Sequence, residues 1–243
     1  MTSALQAIVF DFDGVIADSE PLHLRAFQMV LAEEGIELSV RDYYSRYLGY
    51  DDVGLFQALA QDRAMTMSDG QLASLLARKA VTLQQMLRDG GVLFPGAADF
   101  IRAAAAQVPI AIASGALRHE ILDVLESADL ADLFAAIVAA GDTEHSKPSP
   151  APYLLAFERL QGSGRGALDA RRCVAIEDSR WGLESARDAG LRCVAVSTSY
   201  ARGELSAAEL IVGGLSQLTV EMLDQLCVGP QVVGITLDAQ GPR

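Results

Sequence analysis

Asp11 and Asp13 stand on either side of a single phenylalanine, at the end of an apolar run and just before Gly14. In an extended segment the side chains of residues i and i+2 point the same way, so both carboxylates can reach one site. Two close carboxylates repel, and the pair becomes favourable when a divalent cation neutralises the charge or one acid keeps its proton. One acid can then act as nucleophile while its neighbour gives and takes a proton. Taken alone, Asp-x-Asp-Gly suits a solvated turn or a helix cap better than a reactive site. Its place after a buried strand tips the reading towards chemistry.

Three later positions carry comparable side chains: Ser114 before Gly115, Lys147 before Pro148, and the run Glu177-Asp178-Ser179. Each has an ordinary alternative. Ser114 can cap the following helix, Lys147 can be a surface lysine, and the two acids can favour the N-terminus of the next helix. These alternatives do not exclude a site, because a helix N-terminus is also where a phosphate group sits well.

The elements that would position these residues are legible from hydrophobic patterning. Residues 5–11 form an apolar run ending in an acid, as expected of a buried parallel strand. Similar runs at 108–113, 135–140, 173–176 and 193–196 end at Ser114-Gly115, Gly141-Asp142, Glu177-Asp178 and Ser197-Thr198. Helix-like segments, among them 117–127, 150–161 and 182–189, alternate with them, which predicts a parallel sheet covered on both faces. In such sheets ligands bind beyond the carboxyl ends of the strands, where the polar residues fall.

Residues 18–91 break the alternation: 21–34, 52–60 and 68–88 read as helices, and Ser68 with Gln71 has the form of a capping box. The expected fold class is α/β. A doubly wound parallel-sheet core, residues 1–17 and 92–243, carries an inserted helical cap domain, residues 18–91. Residues 161–166 read as a flexible loop, and the tail holds one further candidate strand at 232–237.

Composition narrows the function classes. Among 243 residues, 51% are hydrophobic, enough for a substantial core, and 32 acidic against 19 basic residues give a net charge of −13. That balance argues against a nucleic-acid surface, which needs clustered Lys and Arg; its main effect is on solubility. No stretch has the uninterrupted apolar length of a membrane span, and the N-terminus lacks the pattern of a secretory signal. Cys173, Cys193 and Cys227 are an odd, widely spaced set, better suited to reduced thiols than to disulfides or a zinc site. The cytoplasm is the expected location.

Four motifs in order resemble the haloacid dehalogenase superfamily of phosphotransferases: Asp11-Phe12-Asp13-Gly14-Val15 with Asp18-Ser19, the strand end Ile112-Ala113-Ser114-Gly115, Lys147 in Ser146-Lys147-Pro148, and Glu177-Asp178-Ser179 with Gly182. The resemblance implies that Asp11 forms an aspartyl-phosphate and that Asp13 protonates the leaving oxygen and later deprotonates water. It implies that Ser114, with Gly115, binds the transferring phosphoryl group and that Lys147 neutralises charge between it and Asp11. It also implies Mg2+ held by Asp11, the Asp13 carbonyl and Asp178, with Glu177 in support. Phosphoryl transfer depends mainly on positioning and charge stabilisation, which such a set supplies.

The insert resembles the small helical cap of the beta-phosphoglucomutase-like branch, with Ser19-Glu20-Pro21-Leu22-His23 following the first motif. The resemblance places His23 near the hinge and Gly49 in a substrate-specificity loop, and makes Lys79 a candidate for substrate binding. Arg46, Arg78, Lys79 and Arg118 otherwise read as solvated charges, and the tyrosines 43, 44, 47 and 50 mostly as packing between cap helices. Mutases of that branch carry an arginine shortly after the glycine to hold a second phosphate; this chain has Asp51 and Asp52. The expected activity is Mg2+-dependent hydrolysis of a small phosphate monoester such as a sugar phosphate, with a sugar phosphomutase as the alternative. A dehalogenase and an idle binding protein rank lower. The expected partner is a small phosphorylated metabolite, with no nucleic acid and no membrane, and the expected state a monomer or weak homodimer.

Overall fold

A computed structural model describes residues 4–48, 50–162, 167–228 and 235–236. The chain forms two compact units, one of Ser19–Asp89 and one of Met1–Asp18 with Gly90–Arg243.

The inserted unit is helical: α1 (Glu20–Glu33), α2 (Val40–Asp42), a π-helical turn (Tyr43–Tyr47), α3 (Asp52–Asp62) and α4 (Asp69–Arg88). Pro21 sits in the first turn of α1, where its missing N–H costs nothing. Asp51 caps α3 by accepting from the Gly54 N–H at 2.7 Å. Ser68 and Gln71 form the capping box expected at the start of α4. Leu24, Phe27, Val30 and Leu31 from α1 pack with Leu55, Phe56 and Leu59 from α3 and Leu75 from α4. Tyr43 and Tyr47 join this core, whereas Tyr44 and Tyr50 stay exposed.

In the other unit seven described strands form one parallel sheet. They are β1 (Ala7–Phe10), β2 (Ile110–Ala113), β3 (Phe134–Val138), β4 (Cys173–Glu177), β5 (Arg192–Val196), β6 (Leu210–Val212) and β7 (Ile235–Thr236), in the order β3-β2-β1-β4-β5-β6-β7. Helices α5 (Ala97–Ala105), α6 (Arg118–Ser127), α7 (Ala151–Gln161), α8 (Arg180–Asp188) and α9 (Val220–Val228) complete the unit. Both sheet faces are covered. Val9, Ala111, Val138 and Ala175 pack on one side with Tyr153 and Ala156 of α7 and Leu183 and Ala186 of α8. On the other side Phe10 meets Phe100 of α5 edge-on at 6.0 Å.

The chain builds outward from β1 through β2 to β3, then returns to place β4 on the opposite side of β1. The carboxyl ends of β1 and β4 therefore flank the switch point of the winding, where open α/β sheets form their ligand crevice. Pairing of Phe10 with both Ile112 and Ile176 brings the residues after β1 and β2 and the end of β4 to one level.

Candidate active site

Asp11 follows β1, and its N–H donates to the Ile176 carbonyl at 2.9 Å, so the sheet ladder fixes its backbone. Glu177 closes β4 and Asp178 follows it; Ser114 follows β2, with its N–H bonded to the Val138 carbonyl at 2.9 Å. Lys147 comes from the segment between β3 and α7. The Lys147 ammonium donates to Glu177 Oε1 at 2.6 Å and lies 2.9 Å from Asp11 Oδ1. Three motifs spread over more than 160 residues of chain thus meet in one ion-paired cluster.

Asp11, Glu177 and Asp178 bring carboxylate oxygens within 4.8 Å of one another. All three are buried. Burial, then the neighbouring Glu177 and Asp178, hold the Asp11 carboxyl well above its ordinary range against the pull of Lys147. Burial also raises Asp178, to about 6, although a hydrogen bond from Ser199 opposes the shift. For Lys147 burial disfavours the charge, but Asp11 and Glu177 outweigh it and hold the ammonium above its usual value. Three buried acids against one ammonium leave an excess of negative charge on hard oxygen donors. That is a fit for a small divalent cation, which Asp11 and Asp178 could hold with Glu177 in support.

Two glycines shape this cluster. Gly14 has φ +75°, and a Cβ there would stand 1.9 Å from Asp178 Oδ2. A Cβ on Gly182 would stand 1.9–2.0 Å from the carboxyl atoms of Glu177. Asp13 lies in the turn after Asp11, bridged to Ala17. Its carboxylate is not one of the clustered three. Ser114 is buried and its Oγ accepts from the Ala116 N–H at 3.0 Å, while Gly115 is exposed.

In the inserted unit, His23 and Lys79 come together. Lys79 is only 1% exposed, its ammonium bonding both Asp52 oxygens at 2.8 and 2.9 Å and contacting His23 Nδ1 at 3.0 Å. The reading of Lys79 as a solvated charge is thereby corrected: α3 presents Asp52 to neutralise it, and the Phe27 ring lies 4.8 Å below it. Burial, then Lys79, lower His23 to about 4, so near neutral pH the imidazole is uncharged. Its Nδ1 accepts from the ammonium, which leaves the proton on Nε2. Arg46 pairs with Asp62, Arg78 with Glu33 and Glu34, and Arg118 with Asp142. Gly49 lies outside the described residues.

Sequence reading did not single out Tyr153, whose hydroxyl donates to Glu177 Oε1 at 2.7 Å. In the sequence it is an aromatic within a helix, the ordinary mark of a core residue. Nor did it single out Ser199, although the polar run beginning at Ser197 after β5 marked that strand end.

The haloacid dehalogenase-like hydrolase family matches residues 5–190, a span that contains the whole cluster. The chain belongs to this family. Protein CbbY of Rhodobacter capsulatus is 34% identical over 231 residues, covering 91% of this chain and 99% of that protein. Fructose-1-phosphate phosphatase YqaB of Escherichia coli is 28% identical, over 78% of this chain and 95% of that protein. The crystal structure of a putative beta-phosphoglucomutase from Thermotoga maritima superposes with a TM-score of 0.74 at 25% identity, covering 91% of this chain and 98% of that one. Within the haloacid dehalogenase-like hydrolases this chain is a phosphoric monoester hydrolase of the beta-phosphoglucomutase-like branch. No described helix is long and apolar enough to cross a membrane.

Proposed function

We propose that this hydrolase cleaves a small sugar phosphate, using Mg2+ and an aspartyl-phosphate formed on Asp11. The observation that carries the reading is the Lys147 ammonium bridging Asp11 and Glu177 at 2.9 and 2.6 Å beside Asp178. A sugar phosphate as substrate rests on the likeness to a fructose-1-phosphate phosphatase.

Asp11 attacks phosphorus, a bond forms between its carboxylate oxygen and phosphorus, and the ester P–O bond breaks. Asp13 gives its proton to the departing sugar oxygen. Lys147 and the Ser114 hydroxyl hydrogen-bond the phosphoryl oxygens, with Gly115 leaving room beside them, and offset charge as transfer proceeds. Water then attacks the aspartyl-phosphate, Asp13 takes its proton, and inorganic phosphate leaves Asp11 free. Mg2+, held by Asp11, the Asp13 carbonyl and Asp178 with Glu177 in support, would supply charge neutralisation at the phosphoryl oxygens. The inserted unit acts as a cap that excludes bulk water, with His23 and the Gly49 loop contributing to substrate choice and Lys79 held by Asp52 beside His23.

A phosphomutase shares the first half-reaction, and the likeness to the Thermotoga maritima structure keeps that reading in view. The bidentate hold of Asp52 on Lys79 weighs against it, because that cation is already engaged. The test is phosphate release from a panel of sugar phosphates with Mg2+ or with a chelator. Release that requires Mg2+ supports the proposal. Metal-independent release contradicts it, and an isomeric sugar phosphate without free phosphate supports the mutase.

A further inference from the structure

The Glu177 carboxylate is fully engaged by the chain. Oε1 accepts from the Lys147 ammonium at 2.6 Å and from the Tyr153 hydroxyl at 2.7 Å. Oε2 accepts from the Asp178 N–H and the Ser179 hydroxyl, both at 3.2 Å. A carboxylate offers about four acceptor positions, so its orientation is set from every side. Against it lies Gly182 of α8, where the smallest side chain would collide with the carboxyl group. Tyr153 itself is fully buried, and its ring lies 5.1 Å from the Lys147 nitrogen, supporting the same ammonium whose partner the hydroxyl holds.

We propose that Tyr153 and Gly182 are positioning residues for phosphoryl transfer: they clamp Glu177, and through Glu177 they set the Lys147 ammonium against Asp11. The inference rests on the reading of Asp11 and Lys147 as the reacting centre. Loss of the phenol hydroxyl leaves Oε1 with Lys147 as its one remaining donor in a buried site. The under-satisfied carboxylate then draws the ammonium towards itself and away from Asp11. An added methyl at Gly182 displaces the carboxylate from the opposite side, with the same consequence for Lys147. In both variants the ammonium is misplaced for the charge that develops during transfer, while binding of the unreacted ester is less affected.

Tyr153→Phe keeps the ring and removes one hydroxyl; Gly182→Ala adds one methyl and leaves Tyr153 intact. In the full-length enzyme with Mg2+ and its best sugar phosphate, kcat falls roughly tenfold in Tyr153→Phe while KM moves less than about twofold. The inhibition constant for orthovanadate, which mimics the transferring group, rises in step with the loss in kcat, and that for inorganic phosphate does not. Gly182→Ala shows the same split and decides the matter if Tyr153→Phe does not fold. A kcat within about twofold of wild type in a folded variant overturns the inference. So does a parallel rise of the vanadate and phosphate constants, the pattern expected of general loosening. Wild-type enzyme that releases phosphate from no ester overturns the functional reading itself, and this inference with it.

Discussion

Asp178 shows how the site couples charge to stability. Its carboxyl titrates at about 6 in the folded chain, raised first by burial, against about 3.9 for an unperturbed aspartate. Between those values the folded protein binds more protons than the unfolded chain, so without metal its stability rises as pH falls through the window. Above pH 6 the buried charge costs on the order of 3 kcal/mol. Asp178→Asn should therefore melt at or above wild type without metal at neutral pH, but lack the upward shift with Mg2+ that the proposed site predicts for wild type, about 2.7 kcal/mol at a hundredfold excess over Kd. Thermal melts with and without Mg2+ check this, and a variant still stabilised by Mg2+ contradicts it. His23 has the opposite sign. Its folded value of about 4 lies below its ordinary one, so the stability it contributes is complete above pH 6.5 and is lost as pH falls towards 4. NMR titration should find His23 uncharged at pH 6, and Lys79→Met should raise its pKa by removing the second largest cause of the shift. Asp11, Ser114 and the Glu177-Asp178 pair were legible as candidates because each stands at the end of a short apolar strand, whereas Lys147, in the segment between β3 and α7, was marked only by its motif. The partners of Lys79 and Glu177 were not, because Asp52 and Tyr153 lie 27 and 24 residues away in sequence and meet them only through packing.

At the scale of elements, caps and strand ends followed their local chemistry. The Ser68–Gln71 box was readable because it is contained in four residues, and it forms. Ser68→Ala should cost about 1 kcal/mol in thermal or denaturant unfolding and leave kcat unchanged; no loss of stability would contradict the capping account. Gly14 joins backbone to site, with positive φ and Asp178 pressed against its missing side chain. Gly14→Ala should cost at least about 1–2 kcal/mol and weaken Mg2+ binding, as melts and calorimetric titration would record. The π-helical turn at Tyr43–Tyr47 was not legible. Nothing in five residues distinguishes it from an α-helix until Tyr43 and Tyr47 turn into the core. The three-residue β6 is too short to carry periodicity.

Across the whole molecule, what positions the chemistry is the reversal of winding about β1. It lets Asp11 and the Glu177-Asp178 pair face the same crevice from neighbouring strands. Strand-helix alternation revealed that topology in the sequence, whereas the order of strands needed three dimensions. The same core encloses Cys173 and Cys193, whose thiols burial raises to about 12. A thiol reagent applied to native enzyme should leave both unreacted until the protein is denatured. The central claim is that Asp11 carries the phosphoryl group. The direct test is a single turnover quenched in acid within milliseconds, with peptide mass spectrometry to locate any phosphate on the chain. The account predicts an acid-stable, hydroxylamine-labile phosphate on Asp11, absent from Asp11→Asn, which releases no phosphate. Phosphate on another residue, or undiminished turnover by Asp11→Asn, would contradict it.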